Sequence, residues 1–217
     1  MTKHLQIDLR ELSKELLTMG TMVEEATNRA INALVRRDKN LAREVIAVDD
    51  AINDHENRIE DHALKMLALH QPVAADLRYI ITVLKVNNDL ERIGDHAVSI
   101  AERAVVLAGL EPVPRPEDFD LLVQTVQRMM KESLTALIEH DAALARSVCE
   151  MDDEVDRVHR LMYSAMQTVM RNDVALIESA VNTISATRHL ERIGDLATNI
   201  AEDVVFMVEG EILRHNY

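Results

Sequence analysis

The sequence predicts an all-α fold made of two tandem, pseudo-symmetric, antiparallel three-helix bundles. Apolar residues recur at alternating spacings of three and four along the chain, which is the spacing of buried helix faces. In addition, residues 90–95 (Leu-Glu-Arg-Ile-Gly-Asp) return unchanged as residues 190–195. Ten of fifteen positions match between residues 88–102 and 188–202. The chain is therefore an internal duplication, and each copy is expected to form one bundle.

In the first copy, the apolar spacing predicts a helix from about residue 8 to residue 37. Asp38 is a suitable N-cap for a second helix, whose spacing continues without interruption into the sixties. Pro72 is expected in the first turn of a third helix, and Gly109 is expected to end that helix. The third helix carries two apolar rows, so it should contact two neighbours.

The second copy repeats this plan after a linker over residues 111–116, which holds three of the four prolines. The predicted domains are residues 1–110 and 117–217. Asp141 is expected to cap the second helix of this copy, which matches its counterpart at an offset of 103. Gly210 is expected to take the helix-ending role of Gly109.

The composition limits the classes of partner and the cellular compartment. The net charge is −14 without any basic block, which argues against direct binding of nucleic acid or anionic lipid. No stretch approaches the roughly 20 apolar residues of a membrane span, so direct membrane insertion is not expected. The N-terminus lacks a signal peptide, and the single cysteine suits a reducing compartment. We therefore expect a cytoplasmic protein.

Paired carboxylates inside the duplicated segment are the strongest functional signal. Glu91 and Asp95 are four residues apart on one helix face, and Glu191 and Asp195 repeat them. The preceding helix of each copy carries its own acidic line, so side-by-side packing would bring several carboxylates together. Oxygen-rich clusters suit Mg²⁺, Mn²⁺, Ca²⁺ or iron, and the identity of the ion, Zn²⁺ included, stays open. The predicted metal ligands are Asp49, Glu91, Asp95, Asp152, Asp156, Glu191 and Asp195.

The duplicated segment is also compatible with roles that need no metal. Arg92 and Arg192 lie beside the acids and could simply pair with them. The repeated Gly94 and Gly194 indicate either a close helix approach or room for a bound group, because a glycine inside a helix costs about 1 kcal/mol relative to alanine. The chain contains no phosphate-binding glycine loop, no nucleophile elbow and no repeated Glu-x-x-His pair, so an enzyme is not predicted.

The doubled Leu-Glu-Arg-Ile-Gly-Asp-x-Ala segment, the acidic lines and the paired bundles resemble the PhoU family over essentially the whole chain. The resemblance implies E(D)-x-x-x-D metal motifs, which fall on Glu91 with Asp95, on Glu191 with Asp195, and on Asp152 with Asp156. In the first copy the motif is altered, because Asn53 follows Asp49 at the fourth position. Equal metal occupancy of the two copies is therefore not expected.

The same resemblance implies a negative regulator of the phosphate-starvation response. Such a protein couples the high-affinity phosphate ABC transporter to its sensor histidine kinase and modulates phosphate uptake. The implied partners are that kinase, the ATPase subunit of the transporter and a second copy of the chain, with recruitment to the inner membrane through the partner proteins. Two rivals remain: an interaction bundle whose acids only form a docking surface, and a metal-binding bundle that acts as a metal store or metal-dependent oxidase.

Overall fold

The computed structural model describes residues 3–114, 116 and 118–210, and the regular secondary structure of these residues is entirely helical, with no strand. None of the described helices is both long enough and apolar enough to cross a lipid bilayer. One short 3₁₀ turn, Val174–Leu176, precedes the last helix. The α-helices are α1 (Lys3–Arg36), α2 (Lys39–Ile46), α3 (Asp49–His70), α4 (Ala74–Leu107), α5 (Asp118–Glu139), α6 (Ala142–Asn172) and α7 (Ile177–Glu209).

The helices form two bundles, as the sequence predicts. Helix α4 packs against α1, α2 and α3, whereas α7 packs against α5 and α6. The most extensive contact in the molecule joins α4 to α7, so the buried apolar residues of both copies form one continuous core. The division into domains at residues 110 and 117 stays a prediction. Residues 1, 2, 115, 117 and 211–217 of the predicted domains and linker lie outside the described residues.

Helices α4 and α7 run antiparallel. Lys85 of α4 donates a hydrogen bond to Asp203 of α7 (Nζ to Oδ1, 2.6 Å), and further along α4 the His96 ring meets that of His189. From Lys85 to His96 on α4, the contacted residue of α7 changes from Asp203 to His189, which lies nearer the N-terminus of α7. The duplicated segments therefore cross at their midpoints. This arrangement relates the two copies by a pseudo-twofold axis.

The helix ends follow local capping chemistry. Asp38 accepts hydrogen bonds from the backbone N–H groups of residues 40 and 41, and Asp141 does the same for residues 143 and 144, which confirms both predicted N-caps. Gly210 ends α7 in the left-handed conformation, with φ of 76°. Gly109 follows the end of α4 without a positive φ, so the two glycines end their helices differently.

Two details of the first copy differ from the prediction. The second helix is broken at Ala47 and Val48, where a tightened turn separates α2 from α3. The break places Asp49 and Asp50 in the first turn of a helix, where the helix dipole favours acidic residues. Pro72 is not in the first turn of the next helix, because the chain stays non-helical until Ala74.

The repeated glycines mark close helix approaches. A Cβ atom added to Gly94 would lie 3.3 Å from two side-chain carbons of Ile52 on α3. A Cβ atom added to Gly194 would lie 3.3 Å from Val155 on α6. Ile52 and Val155 are equivalent residues of the two copies, so the duplication has kept the same close contact twice. This confirms the close-approach interpretation of the glycines.

A bulkier residue at Gly94 is expected to separate α3 from α4. Gly94→Leu should lower the free energy of unfolding by about 2 kcal/mol, because overpacking outweighs the gain in helix propensity. Urea denaturation measures the change. Gly109→Ala is the matched control, since its added Cβ would meet only the Val106 carbonyl oxygen at 3.6 Å. An unchanged urea midpoint for Gly94→Leu would contradict this close packing of the two helices.

Candidate metal-binding site

Three carboxylates of the second copy converge between α6 and α7. One oxygen atom from each of Asp156, Glu191 and Asp195 lies within 4.8 Å of the corresponding oxygens of the other two. Asp156 comes from α6, and the other two come from successive turns of α7. All three residues are partly buried. The close approach of Val155 to Gly194 brings the two helices together beside this group, which we call the second-copy acidic cluster.

The carboxylates of this cluster carry like charges at short distances and repel one another. Burial, the Asp195 carboxylate and the Asp156 carboxylate raise the pKa of Glu191, in opposition to Arg192 and Arg188. The Glu191 side chain is only 17% exposed, and its Oε2 atom is buried without a hydrogen-bond partner among the described residues. A buried carboxylate oxygen in that position has lost its water and gained no donor in return.

Arginines only partly neutralise the cluster. Arg192 donates a hydrogen bond from Nη1 to Asp195 Oδ2 at 2.8 Å, and its Nε lies 3.6 Å from Glu191 Oε2. Arg160 reaches Asp156 at 3.4 Å from an exposed position. The pairing of arginines with acids that the sequence left open is therefore present together with the converging carboxylates, and neither feature excludes the other.

Asp152 is placed differently from the other predicted ligands of this copy. The Thr198 hydroxyl donates a hydrogen bond to its Oδ1 atom at 3.2 Å, and Asp152 is not one of the three converging carboxylates. It lies one helical turn before Asp156, on the wall of a neighbouring pocket that Asp195 also lines. Thr198 has no counterpart in the first copy, where the equivalent residue is Val98, so the duplication did not point to it.

The first copy holds a looser acidic group, formed by Asp49 and Glu56 on α3 with Glu91 and Asp95 on α4. Burial and then the Asp95 charge raise the pKa of Asp49, and burial, Asp95, Glu56 and Asp49 raise the pKa of Glu91. The buried Oδ1 atoms of Asp49 and Asn53 have no hydrogen-bond partner within the part of the chain that the structure describes. These carboxylates do not converge as tightly as those of the second copy.

Both groups offer what an oxygen-preferring cation requires. Carboxylates are ligands for Mg²⁺, Mn²⁺, Ca²⁺ and iron, and a side-chain amide oxygen such as that of Asn53 also coordinates Ca²⁺. The buried oxygens without hydrogen bonds fit this use, because a cation would supply the missing partner. In the second copy the ligands would be Asp156, Glu191 and Asp195, and in the first they would be Asp49, Glu91 and Asp95, with Glu56 beside them.

Two histidines in this region are functional candidates that the sequence did not predict. His96 and His189 face each other across the α4–α7 contact, with their Nδ1 atoms 3.2 Å apart. Their equivalents in the other copy are Leu196 and Asp89, so neither histidine is repeated and the duplication gives no signal for them. Only the antiparallel crossing of α4 and α7 brings them together.

Comparison with known proteins gives a consistent result over the whole chain. A model of the PhoU domain matches residues 16–104 and again residues 119–204, one match for each copy. A protein of Pseudomonas aeruginosa, named phosphate-specific transport system accessory protein PhoU homolog, is 40% identical over 216 residues, covering 99% of this chain and 89% of the relative. A protein of the same name from Clostridium acetobutylicum is 35% identical, with 96% of each chain covered.

Solved structures agree with these relatives. The crystal structure of PhoU from Pseudomonas aeruginosa is similar with a TM-score of 0.92 and 41% identity, covering 95% of this chain and 99% of that one. The phosphate transport system regulatory protein PhoU from Streptococcus pneumoniae is similar with a TM-score of 0.88 and 29% identity, covering 97% and 99% of the two chains. The paired-bundle architecture is thus that of experimentally solved proteins.

Removing one charge from the second-copy acidic cluster is expected to stabilise metal-free protein at neutral pH. In chelator-treated protein, Glu191→Gln should raise the free energy of unfolding at pH 7 by roughly 0.5 kcal/mol, because it relieves repulsion by Asp195 and Asp156. The pKa of Glu191 is higher in the folded than in the unfolded chain, so the folded chain binds its proton first and the repulsion disappears as the pH falls through that raised pKa. The gain should therefore vanish near pH 4.

Urea denaturation at pH 7 and at pH 4 measures this effect. Glu154→Gln is the control, since Glu154 is exposed and contacts Arg157 at 3.8 Å. An equal change in stability at the two pH values, or a loss of stability at pH 7, would show that Glu191 is not under electrostatic stress.

Proposed function

The chain belongs to the PhoU family, and we propose that it is a negative regulator of the phosphate-starvation response that acts without catalysing a reaction. In this role it modulates phosphate uptake and couples the high-affinity phosphate ABC transporter to its sensor histidine kinase. The observation that carries the proposal is similarity over nearly the full length of relatives that are named accessory proteins of the phosphate-specific transport system. Both copies of the family domain are present in this chain.

The proposed partners are the ATPase subunit of the transporter, the sensor histidine kinase and a second copy of this chain. The protein would act in the cytoplasm and reach the inner membrane through these partners. A helical surface with an acidic net charge of −14 suits recognition by protein contacts, because charged groups steer association and set the orientation of partners.

We also propose that the acidic groups hold cations and that occupancy shapes the surface read by the partners. The convergence of Asp156, Glu191 and Asp195 supports this, together with the buried Glu191 oxygen that has no hydrogen-bond partner in the described part of the chain. A bound cation would neutralise like charges and fix α6 against α7. The second copy is the stronger site, because its carboxylates converge more tightly than those of the first copy.

A metal-dependent oxidase is less well supported than a regulator. Di-iron bundles use a Glu-x-x-His pair from each of two helices, whereas this cluster contains carboxylates from only two helices and no such repeated pair. The acidic residues are also arranged differently in the two copies, which does not favour one symmetric redox centre.

The cation proposal is tested by calorimetric titration of Mn²⁺ and Mg²⁺ into chelator-treated full-length protein. Saturable binding is expected, and Glu191→Gln/Asp195→Asn should weaken it at least about tenfold, because two of the three charged ligands are lost. Glu91→Gln/Asp95→Asn should have a smaller effect on the tightest site, and Glu154→Gln should have none. Equal binding by the wild type and the Glu191→Gln/Asp195→Asn variant would eliminate the site.

The partner proposal is tested by co-purification from cells grown with and without excess phosphate. The transporter ATPase subunit and the sensor kinase should both be recovered with the tagged full-length protein under excess phosphate. The Gly94→Leu variant serves as a control for dependence on the native packing. Recovery of neither partner from cells that express both would overturn the coupling role.

A further inference from the structure

A polar pocket of about 210 Å³ lies where the duplicated segments cross, between α4 and α7. We call it the crossing pocket, and Arg92, His96 and Arg192 form one wall of it. Arg92 and Arg192 are the same residue of the repeated motif in its two copies. Because the helices are antiparallel and cross at this point, each copy contributes one guanidinium group to a single pocket.

The two arginines are accessible to a ligand. The Arg92 side chain is 53% exposed, and its contact with Asp89 is long, at 3.5 Å. The Arg192 side chain is 47% exposed and shares its donors with Asp195 and Glu191. A guanidinium group has five N–H donors, so each arginine keeps donors that these contacts do not use.

Arginine side chains from both helices act on the histidine pair beside the pocket. Burial, the His189 ring and the guanidinium groups of Arg92 and Arg192 lower the pKa of His96 to about 4. Burial and then Arg103 and Arg188 lower the pKa of His189. Two arginines of α4 and two of α7 thus act on this histidine pair, although the net charge of the chain is −14. Their guanidinium groups attract anions, in opposition to the carboxylates of the pocket wall.

Two acidic residues also line the pocket, and both are already engaged. Asp152 accepts the hydrogen bond of Thr198 at 3.2 Å, and Asp195 accepts that of Arg192 at 2.8 Å. The side chain of Asn199 adds an uncharged polar group to the wall. The wall therefore offers unused N–H donors from its arginines, and the two carboxylates partly offset the arginine charges.

We propose that the crossing pocket binds one tetrahedral oxyanion of the phosphate class, held between the guanidinium groups of Arg92 and Arg192. Guanidinium forks match the paired oxygens of such an anion and form charge-assisted hydrogen bonds with it. The volume is below the 300–1,000 Å³ of sites for drug-sized ligands, so a free ion fits better than a nucleotide. The assignment depends on the crossing of α4 and α7 and not on the proposed regulatory role.

Arg192 connects this pocket to the second-copy acidic cluster. It bonds Asp195, and Asp195 is also one of the three converging carboxylates. A cation held there would compete with Arg192 for Asp195 and release the guanidinium group toward the anion. This coupling rests on the proposed cation site. The substitution Asp195→Asn reproduces the charge change without any metal.

Calorimetric titration of inorganic phosphate into chelator-treated full-length protein, at constant ionic strength with chloride, tests the proposal. One saturable site is expected. Arg92→Gln should weaken binding by about tenfold or more, because a charge-assisted pair is lost, and Asp195→Asn should strengthen it severalfold. Arg128→Gln is the control and should leave binding unchanged, since Arg128 is an exposed arginine of α5 paired with Glu132 at 2.8 Å.

Three outcomes would overturn the assignment: no saturable phosphate binding to the wild type at millimolar concentrations, equal affinity of the wild type and Arg92→Gln, or equal weakening by Arg128→Gln. Titration with ATP distinguishes the source of the phosphoryl group, and binding of ATP without binding of inorganic phosphate would also overturn it. Circular dichroism melting checks that Arg92→Gln is folded. If phosphate binds while Mn²⁺ and Mg²⁺ do not, the pocket stands and the cation proposal fails.

Discussion

The packing of α4 against α7 is the contact on which the rest of the structure depends. One turn of each helix must serve three neighbours at once. On α4, Ile93 and Ala97 enter the core, Gly94 lets α3 approach, and Arg92 and His96 face the crossing with α7. The corresponding turn of α7 uses its residues in the same way. The packing of the helices is therefore sufficient to explain why the motif is repeated. Such dense use of one turn leaves little room for substitution.

The close helix approach also accounts for the presence of acidic residues where they repel each other. Gly94 and Gly194 draw α3 and α6 inward, and the carboxylates one turn away are drawn in with them. In the second copy this produces a tight group with Asp156, whereas in the first the loss of the fourth-position acid to Asn53 leaves a wider one. Crowding of like charges lowers stability unless something offsets it. The arginines offset only part of it, because Glu191 keeps a buried oxygen without a hydrogen-bond partner among the residues that the structure describes.

The fold could be predicted from the sequence because the duplication shows each pattern of apolar spacing twice. The Asp38 and Asp141 N-caps could be predicted because capping depends only on neighbouring residues. It missed the break at Ala47 because the apolar spacing continues through the turn. It predicted both Asp152 and Asp156 as ligands, because they lie one turn apart on the same helix, whereas in the structure Asp156 is the one that converges with Glu191 and Asp195. The contact of His96 with His189 could not be predicted from the duplication, since it joins positions that are not equivalent in the two copies.

The two sides of the pseudo-twofold axis carry different charged residues, although the backbone repeats. Asp89 and Asp203 lie on one side, and His189 and Arg103 occupy the equivalent positions on the other. Burial raises the pKa of Asp89 to about 6, while burial and nearby arginines lower that of His189, so both groups shift toward their neutral forms. The remaining charge difference lies in Asp203 on one side and Arg103 on the other. A charged partner that approaches this surface therefore meets different potentials in its two orientations, and electrostatic complementarity selects one of them. Different charged residues at equivalent positions of the two copies are thus enough to give a duplicated structure one preferred orientation toward a partner.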